Sequence, residues 1–182
     1  GIPGYEPSNH LKFEYNPTKA KEFLALAGYP EGKNLPTIVF DVRGSSTYSR
    51  QGGEFVKSEL AKIGINIEVS INTFPAFLKK SVEGKLQFWQ GGWQMDYPDA
   101  ENVLQLLISK NRPQPNVTQY SNPEMDKIFD KLKGLPDGPE KFKLMFEAEE
   151  IVNRDLPWIM QYYTRAYILH FGYLKNYRHS DL

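Results

Sequence analysis

The sequence predicts an α/β fold, a sheet covered on both faces by helices, because segments of strand character alternate with segments of helical character. Residues 37–42 (TIVFDV) are rich in apolar and β-branched side chains, and residues 65–71 alternate strictly between apolar and polar side chains. Apolar residues recur at helical spacing between and after these segments. The longest such helical run is residues 139–155. This alternation favours one sheet with helices packed on both of its faces.

Two of the predicted helices begin with an asparagine followed by a proline. Asn16 and Asn122 can each cap a helix through the side-chain oxygen, and the proline that follows lacks only an N–H that has no intrahelical partner. The residues predicted to face the core are Ala20, Phe23, Leu24 and Ala27 in the first of these helices and Met125, Ile128, Phe129 and Leu132 in the second.

The remaining elements are predicted from shorter patterns. A helix with Val56, Leu60 and Ile63 on one face ends at Gly64, although Gly52 and Gly53 weaken its first half. A short helix is expected over residues 73–83, a strand over 86–93, a helix after Asp99 and a final extended segment over 158–171.

Composition limits the class of protein. The chain has 182 residues, with 22 basic and 22 acidic side chains and no cysteine, and it contains no internal repeat or linker. A single compact domain is expected. The balanced charge argues against a nucleic-acid partner, and the absence of cysteine excludes a disulfide framework and thiol catalysis.

No motif for a metal, a nucleotide or a nucleophilic serine is present. The histidines His10, His170 and His179 are scattered and lack the spacing of metal ligands. The pair Gly91-Gly92 lacks the pattern of a phosphate-binding loop, and no G-x-S-x-G sequence occurs. The sequence therefore gives no sign of a cofactor or a metal site.

Residues 91–99 (GGWQMDYPD) combine the features of a ligand-binding loop. They follow a predicted strand and precede a predicted helix, and ligands of open α/β sheets gather at such strand ends. Trp93 offers a flat aromatic face, and Asp96 offers a negative charge to an amine. Asp99 precedes an apolar helix and is expected to cap it.

Two other interpretations of this loop remain open. Trp93 can be a core residue and Asp96 an ordinary turn residue. Alternatively, Asp96 or Asp99 can act together with a distant glutamate as the acid and base of a carbohydrate-active enzyme, and a second carboxylate would then face Asp96 across the substrate.

Six segments resemble, in the correct order, motifs of the extracytoplasmic solute-binding proteins of peptide/nickel ABC importers, the oligopeptide- and dipeptide-binding family. These segments are residues 1–7 (GIPGYEP), 16–29 (NPTKAKEFLALAGY), 59–69 (ELAKIGINIEV), 92–99 (GWQMDYPD), 119–125 (QYSNPEM) and 147–157 (EAEEIVNRDLP).

The resemblance implies a binding protein of two lobes, not an enzyme, with a peptide held between the lobes and delivered to a membrane permease. Residues 1–182 are then the C-terminal lobe, with a mixed sheet flanked by helices, and the N-terminal lobe is a missing partner. The location is periplasmic, or extracytoplasmic with a lipid anchor. Other branches of the family bind sugars, nickel complexes or glutathione, and the sequence leaves these ligands open.

The resemblance also assigns roles in the site. It implies that Asp96 meets the α-ammonium group of the ligand and that Trp93 lines the cleft. Some family members carry, three residues before the tryptophan, an arginine that meets the ligand carboxylate, and the residue at that position here is Gln90. The remaining residues expected at the site are Gly91, Gly92 and Gln94, whose backbone can pair with the ligand, and Tyr97.

Overall fold

The computed structural model describes residues 2–4, 14–162 and 167–177, in which three strands form one parallel sheet. The strands are β1 (Ile38–Arg43), β2 (Ile67–Asn72) and β3 (Phe88–Trp89), in the order β2-β1-β3. This sheet and the helices around it confirm the α/β class.

A mixed sheet was expected, whereas every strand pair in the described residues is parallel. The reason lies in the connections between strands. A helix, α2 (Thr47–Ala61), joins β1 to β2, and a second helix, α3 (Phe74–Val82), precedes β3. A helical crossover returns the chain to the edge from which it started, so the next strand runs in the same direction.

The helix starts follow the predicted caps. Helix α1 (Pro17–Leu26) begins after Asn16, whose side chain accepts a hydrogen bond from the Lys19 N–H at 2.9 Å. The other helices are α4 (Ala100–Leu104), α5 (Pro123–Leu132), which Asn122 caps in the same way, and α6 (Pro139–Asp155).

One hydrophobic core lies between the sheet and α2. Its buried residues Phe40, Val42 and Ile67 pack against Val56 and Leu60 of the helix, as the helical spacing predicted. Helix and sheet are in tight contact at Gly53, where a Cβ atom would lie 2.7 Å from a methyl group of Val69. A glycine that weakens the helix is therefore required by packing.

A second core is formed by the helices of the C-terminal half. The four predicted apolar residues of α5 are all buried, and they pack against α6. This core consists of Leu107, Ile108, Met125, Ile128, Phe129, Leu132, Leu144, Ala148 and Ile151.

Three expectations differ from the structure. The predicted core face of α1 is wrong, because the helix has no buried residue and Phe23 is exposed; α1 packs mainly on the 3₁₀ turn Pro30–Gly32, which offers little apolar surface. The predicted strand over 86–93 is reduced to two residues, since glycines follow it and do not sustain a strand. In residues 158–171, the described positions carry no strand.

Candidate functional site

The candidate site lies at the carboxyl edge of the parallel sheet. Strand β1 is central, and the chain places β2 on one side of it and β3 on the other. The loops after β1 and β3 therefore leave the sheet as neighbours, which is the arrangement that creates a ligand crevice in open α/β sheets. Residues 90–99, which follow β3, contain every site residue that the sequence predicted.

The backbone of residues 91–94 belongs to no helix or strand and is unpaired. Gln90 still belongs to the ladder, since its N–H donates to the Asp41 carbonyl at 3.1 Å. Within the described part of the chain, the next four residues make no backbone hydrogen bond, and all four are exposed. Their N–H and C=O groups are available to an added strand.

A buried asparagine joins the two predicted ligand-contacting side chains. The Trp93 Nε1–H donates to Oδ1 of Asn102 at 2.7 Å, and Nδ2 of Asn102 donates to Oδ2 of Asp96 at 3.5 Å. Asn102 is 1% exposed, whereas Trp93 is 46% exposed. Trp93 therefore belongs to neither core, and the first turn of α4 fixes its orientation.

Trp89 lies beneath the loop. The centre of its ring lies 6.0 Å from the centre of the Phe77 ring of α3, in an edge-on arrangement. A Cβ atom on Gly91 would lie 2.1 Å from the Trp89 ring. A Cβ atom on Gly92 would meet nothing within 4 Å. Gly91 is thus needed for packing, and Gly92 leaves open space beside the loop.

Asp99 caps α4, as predicted, and both of its oxygens are engaged. Oδ1 accepts the Glu101 N–H at 2.9 Å, and Oδ2 accepts from Lys141 Nζ of α6 at 2.5 Å. Burial tends to raise the pKa of Asp99, but the Lys141 and Glu101 hydrogen bonds outweigh it and lower the pKa below its ordinary value. A carboxylate held in this way is unsuited to proton transfer with a substrate.

Lys141 is a buried cation whose charge is paired with two neighbouring carboxylates. Its ammonium group contacts Asp99 and, at 3.1 Å, Asp137. The hydrogen bond with Asp99 raises the pKa of Lys141. The ion pair connects α6 to the start of α4 and so supports the loop that carries Asp96.

Gln90 faces a pair of tyrosines. Its side chain lies near Tyr162, whose hydroxyl lies 3.4 Å from that of Tyr48 in the first turn of α2. The hydrogen bond with Tyr48 raises the pKa of Tyr162. Gln90 therefore has a neutral, polar environment.

The structure brings all the predicted residues into one loop, with Tyr97 44% exposed beside Asp96. Sequence reasoning missed Asn102, Lys141, Tyr48 and Tyr162. Asn102 lies three residues after the predicted cap Asp99, on the first turn of a helix, and that spacing was an available signal. The other three come from distant segments and have no local signal.

Among the residues that the structure describes, no group of three or more His, Cys, Asp or Glu side chains is arranged to hold a metal ion. No helix in these parts of the chain combines the length and the apolar character that crossing a membrane requires.

Residues 1–114 match the family model described as bacterial extracellular solute-binding proteins, family 5 Middle. The chain is 33% identical over 149 residues to heme-binding protein A of Haemophilus influenzae, covering 81% of this chain and 27% of that protein. It is 34% identical over 161 residues to the glutathione-binding protein GsiB of Salmonella paratyphi A. That match covers 83% of this chain and 30% of GsiB.

The chain is also similar to a solved structure of a periplasmic binding protein. The periplasmic binding protein DppA of Helicobacter pylori, in complex with the peptide STSA, is similar with a TM-score of 0.73 and 30% identity, covering 86% of this chain and 30% of that one. The chain thus spans roughly three-tenths of the length of each of these three relatives.

Proposed function

Because the chain belongs to family 5 of the bacterial extracellular solute-binding proteins, we propose that the protein containing it binds peptides between two lobes and delivers them to an ABC-importer permease. Residues 1–182 form the C-terminal lobe in this proposal, and an N-terminal lobe closes over the ligand. The site is a binding site without catalysis, outside the cytoplasmic membrane, in the periplasm or on a lipid anchor.

The observation that carries this proposal is the exposed backbone of residues 91–94, which forms no hydrogen bond in the described structure, beside the exposed carboxylate of Asp96. A peptide that pairs with this backbone adds a strand next to β3. Main-chain hydrogen bonds of this kind give affinity without reading the ligand's side chains. A peptide-binding relative, named in complex with the peptide STSA, supports the ligand class.

Asp96 supplies the charge for the peptide's α-ammonium group. It forms no ion pair with any described residue, and its recorded partner is the neutral amide of Asn102. When the lobes close, an ammonium group that loses water must find a carboxylate or remain as an unpaired buried charge. Glutathione, which the name of one relative mentions, also carries a free α-ammonium group and belongs to the same ligand class.

The experiment compares the Asp96→Asn variant with the full-length wild-type protein by calorimetry. We expect about a tenfold or greater loss of affinity for peptides with a free amino terminus, since a charged hydrogen bond is replaced by a neutral one. N-acetylated peptides should bind both proteins equally. Glu68→Gln removes one negative charge from an exposed position of β2 and serves as the control.

Equal affinity of Asp96→Asn and wild type for free-amine peptides would show that Asp96 does not bind the ammonium group. Turnover of a model glycoside by the full-length protein would instead support the carbohydrate-active alternative. The engagement of both Asp99 oxygens argues against that outcome.

A further inference from the structure

Helix α3 is attached to the sheet by few side chains. Of its nine residues, only Phe77 and Ser81 are buried, whereas apolar side chains such as Phe74 and Leu78 are exposed. Burial of apolar surface therefore contributes little to holding this helix in place. The polar contacts of Lys80, which lies between the two buried residues in the sequence, have a correspondingly larger share in the attachment.

Lys80 is paired with a buried carboxylate on the central strand. Its ammonium group lies 2.6 Å from Oδ1 of Asp41 on β1, and it also donates to the Ser70 hydroxyl on β2 at 3.2 Å. The side chain of Asp41 is 3% exposed, and the Asn72 amide donates to the same oxygen at 2.9 Å. A carboxylate at this depth needs its cation, because an unpaired buried charge is strongly unfavourable.

The register of the sheet connects this ion pair to the ligand loop, residues 91–99. Asp41 pairs with Trp89 of β3, and its carbonyl accepts the Gln90 N–H at 3.1 Å. Residues in register on adjacent strands project from the same face of a sheet, so Asp41 and Trp89 both face α3. The Trp89 ring lies directly against Gly91, since a Cβ atom there would be 2.1 Å from it. The ring therefore supports the first residue of the loop.

One side of α3 makes both contacts with the sheet. Phe77 and Lys80 are three residues apart and so project from the same side of the helix. The Phe77 ring meets the Trp89 ring at 6.0 Å between centres, while Lys80 meets Asp41 on the neighbouring strand. A rotation of α3 about its axis would change both contacts together. The ion pair thereby fixes the position of Phe77 against Trp89.

We propose that the ion pair between Lys80 and Asp41 positions the ligand loop. The pair holds α3 on the sheet, and Phe77 in turn keeps the Trp89 ring beneath the loop. The backbone of residues 91–94 then stays in the place where a ligand strand can pair with it. Lys80 is a positioning residue in this role and acts through its neighbours. The inference rests on the proposed peptide-binding function and adds to it a residue that lies outside the loop.

The test uses the full-length protein labelled with 5-fluorotryptophan, because fluorine NMR reports on each indole ring separately. The Trp89 signal is identified by its loss in Trp89→Phe, and the Trp158 signal by its loss in Trp158→Phe. Trp158 packs against the second core and is the internal reference, since a general loss of structure would alter both signals.

Three variants change the ion pair. Lys80→Met removes the charge and the donor, Lys80→Gln keeps a neutral donor for Asp41 in case the first variant does not fold, and Lys80→Arg keeps the charge. The control is Lys79→Met, which removes the adjacent exposed lysine, whose partner Glu83 lies 3.9 Å away. Calorimetry measures the affinity of each protein for tri-alanine and for N-acetyl-tri-alanine.

We expect Lys80→Met and Lys80→Gln to shift the Trp89 signal, to leave the Trp158 signal in place and to bind both peptides about fivefold or more weakly. Both peptides are affected because the geometry of the loop changes, whereas Asp96→Asn affects only the free amine. Lys80→Arg should restore the Trp89 signal and most of the affinity, since a guanidinium group also pairs with a carboxylate. Lys79→Met should match wild type in every measurement.

Several results overturn the proposal. If wild type binds the peptides and Lys80→Gln keeps either the wild-type affinity or the wild-type Trp89 signal, the ion pair does not position the loop, while the peptide-binding function stands. A shift of the Trp158 signal as large as that of Trp89 would attribute the loss to general destabilisation. If wild type binds neither peptide, and none of their longer or shorter homologues, the peptide-binding function fails and the role of Lys80 fails with it.

Discussion

The indole nitrogen of Trp93 donates a hydrogen bond to the side-chain oxygen of Asn102 at 2.7 Å, and the same amide donates to Asp96. One buried residue therefore positions an exposed ring and an exposed carboxylate together. Side chains that project from a loop are otherwise free to rotate, and ordering them when a ligand binds costs conformational entropy. If the loop binds a ligand as proposed, Asn102 removes part of that cost in advance.

Replacing Asn102 by alanine should weaken both the fold and the site. The change leaves Trp93 Nε1 without its partner and removes a buried amide, so we expect a loss of about 1–3 kcal/mol in the free energy of unfolding. Urea unfolding measures this loss.

The Asn102→Ala variant should also bind free-amine and N-acetylated peptides several-fold more weakly, whereas Asp96→Asn should affect only the free-amine peptides. Asn66→Ala, at an exposed position, is the control; equal effects of both variants would contradict a positioning role.

The adjacent glycines of α2 should respond to alanine in opposite directions. At Gly52 a Cβ atom meets nothing within 4 Å, and the gain in helix propensity should stabilise the protein by up to about 1 kcal/mol. At Gly53 the same atom lies 2.7 Å from Val69 and 3.1 Å from Val42, so overpacking should cost about 1–3 kcal/mol. Thermal or urea unfolding of the two variants measures both changes, and a stabilised Gly53→Ala variant would refute the packing explanation.

Gly91 and Gly92 provide a similar comparison inside the site. Gly91→Ala should displace the Trp89 ring, which a Cβ atom would approach to 2.1 Å, and this displacement should reduce peptide affinity about tenfold or more. Gly92→Ala adds a methyl group in open space on the ligand side of the loop and should leave the free energy of unfolding unchanged. Near-ultraviolet circular dichroism reports on Trp89; identical spectra of Gly91→Ala and wild type would exclude the predicted displacement.

Local signals in the sequence predicted the helix starts and the loop in which the candidate site residues lie. The caps Asn16, Asn122 and Asp99 act on N–H groups two or three residues away, so the sequence next to each of them contains the whole interaction. The bounds of α6 also agree with its helical pattern, because that helix buries one continuous face in the second core.

Interactions between distant segments were not predictable in this way. Asp99 and Lys141 are 42 positions apart, and neither residue has a sequence signal that names the other. The exposed face of α1 gives a second example. Its apolar spacing indicates a face able to pack, but only the neighbouring elements decide whether that face is covered.

The ion pair between Asp99 and Lys141 should make stability depend on pH at both extremes. The pKa of Asp99 is lowered in the folded state, so its contribution is present above the unfolded value of about 3.9 and is lost as the pH falls through the folded value. The pKa of Lys141 is raised, so its contribution is present below about 10.4 and is lost as the pH rises through the folded value.

Lys141→Met should therefore destabilise the protein at neutral pH by about 1–3 kcal/mol, because the partly buried Asp99 loses its charged partner. The difference between wild type and variant, measured by urea unfolding, should shrink as the pH falls below about 4, where Asp99 is protonated in the unfolded chain. Lys143→Met on the same helix breaks only an exposed pair with Glu147, and its cost should stay below about 1 kcal/mol. Equal costs for the two variants at neutral pH would show that the Asp99–Lys141 pair does not stabilise the start of α4.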